Sequence, residues 1–128
     1  MHLTIFVCHP SEGDSVEQMM YPLIGDYGRF DYFSTFEYEP DLVADAITLK
    51  DGTKTHKARK GDIDLPACFP SGGVFGGQAV DFMSKWAYLP EGGERTLKEE
   101  DAELEKFFRR FWETWPDDYI VEAVDVHV

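Results

Sequence analysis

His2, Cys8, His9, His56, Cys68 and His127 are the residues of this chain whose types can ligate a transition metal or form a nucleophile–base pair. None stands at Cys-x2-Cys or His-x3-His spacing, so a metal site would need unrelated stretches of chain to converge, and neither a metal nor any other cofactor is expected. His2 and His127 would meet only if the two terminal strands pair, and two histidines do not make a zinc site. A reactive thiolate at Cys8 or Cys68 needs an electropositive pocket, whereas acids dominate most of this chain. The expectation is two reduced, buried thiols without a disulfide. Carboxylates suited to acid–base work are too many for any pair to stand out. The stretch Ser71-Gly72-Gly73-Val74-Phe75-Gly76-Gly77 precedes a predicted helix, where backbone amides can cradle an anion. It lacks the Lys-Ser/Thr of a phosphate-binding loop, and no Gly-x-Gly-x-x-Gly frame fits, so it reads as a surface connection. These residues name no reaction, and a non-enzymatic role is expected.

Charge is more specific than any motif. The 128 residues carry 25 acids against 12 Lys and Arg, a formal charge of −13. Residues 1–49 hold a net −8, residues 50–60 a net +4, and residues 61–128 a net −9. A generic binder of the phosphate backbone needs a basic footprint, which the chain as a whole lacks. Anionic membrane surfaces likewise attract basic segments. No stretch approaches the ~18–20 apolar residues of a membrane span, and the N-terminus lacks a charged, long-apolar leader, so an intracellular, cytoplasmic protein is expected. An excess of acid beyond the ~2–8 charges typical of a small domain suits either solubility or a positively charged partner. On the second reading, carboxylates on a rigid scaffold imitate a row of phosphates. Glu99, Glu100, Asp101, Glu103 and Glu105 would line one helix, and Glu12, Asp14, Glu17, Asp26 and Asp31 would extend the field. Lys54, Lys57, Arg59 and Lys60 form the one basic stretch, a candidate for direct nucleic-acid contact.

The elements that must position these groups are legible in part. With 43% hydrophobic residues the chain supports a single domain over residues 1–128, burying roughly two thirds of its unfolded surface. Leu3, Ile5 and Val7 alternate with His2, Thr4, Phe6 and Cys8, a strand whose second face is partly apolar. Asp14 or Ser15 caps a short helix that Pro22 limits to about two turns. Seven rings crowd residues 21–40: Tyr21, Tyr27, Phe30, Tyr32, Phe33, Phe36 and Tyr38. They suit a satellite core, a partner-binding patch, or some of each. Ala46–Lys50 and Thr53–Lys57 flank Asp51-Gly52, the signature of a two-residue hairpin whose second strand faces solvent. Residues 61–77 read as irregular and Gln78–Trp86 as a short helix. Thr96–Trp115 carries a capping box and the stripe Leu97, Leu104, Phe107, Phe108, Phe111, Trp115, which predicts a long amphipathic helix stopped by Pro116. Tyr119–Val128 reads as a strand. The expected fold is α+β: an antiparallel or mixed sheet with central terminal strands, one β-hairpin, and the long C-terminal helix packed on one face.

Tyr21-Pro22-Leu23-Ile24-Gly25-Asp26-Tyr27-Gly28 resembles Pro-Ile-x-Gly-x-Tyr-type segments of small phage proteins, over less than a tenth of the chain. A small, acidic, aromatic-rich domain without a catalytic signature is similar in kind to phage-encoded inhibitors of host defence, the anti-CRISPR and anti-restriction proteins. That resemblance implies a viral protein in the host cytoplasm that inhibits a basic, nucleic-acid-binding host protein as a nucleic-acid mimic. Toxin-immunity proteins share the profile and are one alternative. A small enzyme or ligand-binding domain using the glycine-rich loop and Cys68 is the other.

Overall fold

A computed structural model describes residues 2–12, 15–25, 28–68, 70–75, 78–81, 106 and 109–128. Its centre is the pairing of the two terminal strands. β1 (His2–His9) and β8 (Ile120–His127) run antiparallel through eight residue pairs, from His2 opposite His127 to His9 opposite Ile120. On the other side of β1, β6 (Gly72–Phe75) is parallel and is followed by antiparallel β7 (Gln78–Asp81). The free side of β8 is shared. β2 (Tyr32–Ser34) pairs with its C-terminal end and β5 (Lys57–Arg59) with its N-terminal end.

Both faces of this sheet are covered, which is why β1 and β8 read as nearly continuous apolar runs. On one face Phe6, Cys8, Phe75, Val121 and Ala123 pack with Val43 of α2 (Pro40–Val43), Ile47 of β3 (Ile47–Thr48), Ile63, Cys68 and Trp112. On the other, Ile5, Val7, Val74, Val124 and Val126 pack with Val16 and Met20 of α1 (Val16–Met20) and with Phe30. Ser15 starts α1 with a reciprocal cap, its Oγ accepting from Gln18 N–H while its own N–H donates to Gln18 Oε1 at 2.8 Å.

The α+β expectation with a long C-terminal helix is corrected here. The described residues are mixed α/β, built mostly of strands with only a few short helices. Apolar periodicity says which face of a segment would be buried were it helical, whereas helix length is set by the sheet area left to cover. One face is taken by α1 and its neighbours, and the other by α2, β3 and the 63–68 segment. Near the C-terminal end, residues 109–114 are helical and Trp112 is the buried member. Residues 96–105, 107 and 108 of the predicted span lie outside the described residues.

Three further expectations are revised. Gln78–Asp81 is a strand rather than the start of a helix, because it completes a hairpin with β6; residues 82–86 lie outside the described residues. Gly72–Phe75, expected to be loop, is a fully buried strand held between two others. The Asp51-Gly52 turn is a three-residue loop rather than a two-residue one. Leu49 N–H donates to Thr53 O, Gly52 N–H to Leu49 O, and Gly52 alone takes a positive φ of 88°. That pattern is a type I turn closed by a left-handed glycine. The predicted strand Thr53–Lys57 also divides at His56, since β4 (Lys54–Thr55) pairs with β3 while Lys57 begins β5 in the main sheet.

Candidate functional site

The apolar row Leu3, Ile5, Val7 of β1 ends on the same face in His9, and the row Val126, Val124 of β8 ends in Glu122. Lys57 of β5 is the register partner of Glu122. Pairing of three strands thus brings an imidazole, a carboxylate and an ammonium to one corner, beside the start of α1. They line a cleft of about 350 Å³ with Pro10, Ser11, Ser15, Val16 and Glu17. Lys57 Nζ stands 3.1 Å from Glu122 Oε1, and His9 Nε2 stands 3.4 Å from the same oxygen. The His9 contact has the distance of an ion pair but not the alignment of a hydrogen bond, and its buried Nε2 has no hydrogen-bond partner. His9 Nδ1 lies 2.8 Å from the Pro10 carbonyl, an acceptor only, so Nδ1 carries the hydrogen.

Glu122 raises the His9 pKa above its ordinary value, against the opposing effect of burial. For Glu122, burial works upward, but the His9 and Lys57 contacts outweigh it and leave the carboxylate below its usual range. The signs fix a pH window. A raised imidazole pKa stabilises the fold fully below about 6.5 and loses that contribution as pH rises through the raised value. A lowered carboxylate pKa stabilises fully above about 4.3 and loses it as pH falls through the lowered value. The corner therefore contributes most between about pH 4.5 and 6.5. Urea midpoints are expected to decline on the alkaline side of this window, and His9→Gln should flatten that decline. Equal slopes in the two proteins would reject the assignment.

A second surface lies at residues 35–45, where a turn and α2 project from the sheet. Tyr38 and Glu39 N–H both donate to Thr35 O, and Ala44 N–H donates to Pro40 O. Val43 anchors the segment in the core. The remaining large apolar side chains face outward: Tyr38 is 71% exposed, Leu42 45% and Phe36 39%, the last stacked on His56 at 3.7 Å. Glu37, Glu39, Asp41 and Asp45 are exposed among them, with no basic residue from 36 to 45.

Three of the sequence-derived acids lie among the described residues. Glu12 is exposed, Glu17 is half-buried at the cleft, and Asp31 lies at the other end of β8, bonded to His127 at 3.0 Å. Asp14, Asp26, Glu99, Glu100, Asp101, Glu103 and Glu105 lie outside the described residues. The basic stretch does not form one surface. Lys54 and Arg59 are exposed, but Lys57 holds Glu122, and Lys60 is buried, 3.5 Å from Asp117 and 5.4 Å from the centre of the Trp112 ring. His2 and His127 do meet, as cross-strand partners with ring centres 5.3 Å apart, each held at Nδ1 by a carboxylate of Asp125 or Asp31. Among the described residues no group of three or more His, Cys, Asp and Glu is arranged to hold a metal. Burial pushes the Cys8 thiol up to about 12, against the opposing pull of Lys60. Burial also raises Cys68, whose Sγ accepts from Thr48 N–H. Neither thiol is poised as a thiolate.

Sequence reasoning passed over Glu37, Glu39, Asp41 and Asp45. The available signal was ten consecutive residues with four acids, no base and three large apolar side chains beyond Val43. It also passed over the His9–Glu122–Lys57 corner, which no spacing announces because three separate strands supply it. No helix among the described residues is long and apolar enough to cross a membrane. Comparison with protein-family models, with curated proteins and with solved structures returns no match.

Proposed function

We propose that this chain is a non-enzymatic binding protein that inhibits a basic, nucleic-acid-binding macromolecule by covering its charged surface. The observation that carries the reading is the 36–45 face, where Tyr38, Leu42 and part of Phe36 stand exposed among four carboxylates. Leaving three large apolar groups in water forgoes about 25 cal/mol per Å² that burial would recover. Aromatic side chains at the centre of a polar rim are the usual composition of a protein–protein contact. The acids select the sign of the partner and speed its approach, and the net −13 supports them. Of the glycine-rich stretch, Gly72 and Gly73 sit in β6 between two paired strands, and Gly76 and Gly77 lie outside the described residues.

Capture from cell lysate on the immobilised chain, across rising salt, tests the reading when run beside Tyr38→Ser/Leu42→Ser and Glu37→Lys/Asp41→Lys variants. The partner is expected to be basic, to elute with salt, to lose nucleic-acid binding when complexed, and to bind each double variant at least about tenfold more weakly. Capture of neutral or acidic proteins only, or capture indifferent to these substitutions, would overturn it.

A further inference from the structure

We propose that His9 is a proton-operated switch at the end of β1, which holds the Pro10 carbonyl while its ring is charged and releases it when the ring is neutral. The ring sits between two acceptors. Nδ1 lies 2.8 Å from the Pro10 carbonyl oxygen, and Nε2 lies 3.4 Å from Glu122 Oε1. The imidazolium has an N–H for each side and serves both. A neutral ring has one hydrogen, so either tautomer turns a nitrogen lone pair on an oxygen that can only accept. The side chain is 9% exposed and Nε2 is buried, so no bulk water stands in at that nitrogen.

Which acceptor the neutral ring abandons follows from what holds each. Glu122 lies within β8 opposite Lys57 of β5, whose Nζ is 3.1 Å from the same Oε1, and its side chain is only 20% exposed. Pro10 is exposed and follows directly after the strand. Once freed, its carbonyl is hydrated at little cost, whereas a lone pair facing a largely buried carboxylate has no such remedy. A hydrogen bond to a carboxylate is also roughly twice as strong as one to a neutral carbonyl. The neutral ring therefore keeps its hydrogen on Nε2 and turns it toward Glu122, an alignment absent while Nδ1 is bound to Pro10. Pro10 and Ser11 line the cleft with Ser15, Val16 and Glu17, so proton loss reshapes that wall while β1 and β8 stay paired. The titratable groups around His9 are Glu122 of β8, Lys57 of β5 and Glu17 of α1. Glu122 favours the charged ring and Lys57 opposes it, and the balance lies above the ordinary histidine value. The released form is thus reached as pH rises through that raised value.

Heteronuclear NMR of the full chain, labelled with ¹³C and ¹⁵N, tests the switch between about pH 5 and pH 9. The His9 ring nitrogens are expected to read as imidazolium at the acid end and as the Nε2–H tautomer at the alkaline end. The Pro10 carbonyl carbon should titrate with the same midpoint, and in His9→Gln that titration should vanish. Glu122→Gln should weaken proton binding at His9 about tenfold. Lys57→Gln, which removes the opposing cation, should strengthen it, and this variant decides the matter should Glu122→Gln fold poorly. An ion pair that only stabilised the fold would move the urea midpoint with pH and leave the Pro10 carbonyl still. A neutral ring with its hydrogen on Nδ1, a Pro10 carbonyl that does not follow His9, a Pro10 titration that persists in His9→Gln, or weaker proton binding in Lys57→Gln would each overturn the proposal.

Discussion

Phe6→Ala is expected to lower folding stability by about 3–5 kcal/mol, the range for deleting a fully buried phenylalanine. Phe6 is wholly buried in the central strand, and its two register neighbours are Ala123 on β8 and Gly73 on β6. A large ring thus sits between two positions that supply almost no side-chain volume. Around it lie Phe75, Val43, Ile47, Trp112 and Val121 of the same cluster. Neighbours on a hydrogen-bonded sheet cannot slide inward to fill the space, so the cavity term adds to the lost transfer energy. Phe6→Leu keeps most of the volume and should cost clearly less. Urea denaturation monitored by far-UV circular dichroism would measure both, and a loss below about 1 kcal/mol for Phe6→Ala would show that this ring is not the centre of the core.

The second large effect runs against intrinsic preference. Gly73→Ala exchanges a poor strand former for a slightly better one, yet it should destabilise by about 1–3 kcal/mol through overpacking. An added Cβ would stand 2.6 Å from Cζ of Phe75 and 3.1 Å from the Phe6 carbonyl oxygen. Phe75 is 1% exposed and lies two residues along the same face, so its ring already occupies the space above Gly73. The ring has no free volume to enter, and the carbonyl belongs to the β1 backbone. Combining Gly73→Ala with Phe75→Leu should therefore recover part of the loss. A double-mutant cycle showing purely additive effects would contradict this contact.

Local alternation made the terminal strands legible, because a period of two is written in Leu3, Ile5, Val7 and again in Val124 and Val126. The Ser15 cap and the stop imposed by Pro22 were legible for the same reason: both act within a few residues. The 96–115 stripe misled because periodicity describes a face and carries no information on how much partner surface awaits it. Gly72–Phe75 misled in the opposite way. Two glycines signal a loop until a neighbouring ring fills the place of the missing side chain. The seven aromatic rings of residues 21–40 divided: Phe30 is buried, whereas Tyr21, Tyr32, Phe36 and Tyr38 are exposed. Composition alone had no means to apportion them.

By itself the sequence determined the acidic balance, the two terminal strands, the position of the Asp51-Gly52 turn and the lack of any metal or nucleophile spacing, all of which are sums or short-range patterns. Only the tertiary structure decided which charges meet. Lys57 and Lys60 left the basic stretch for Glu122 and Asp117, and His9, Glu122 and Lys57 came to one corner from strands 113 and 65 residues apart along the chain. The physical reason is that sheet register is set by burying two apolar faces at once. Polar side chains at the ends of those rows are carried to wherever the rows stop, and that destination is a property of the pairing rather than of any residue's own neighbours.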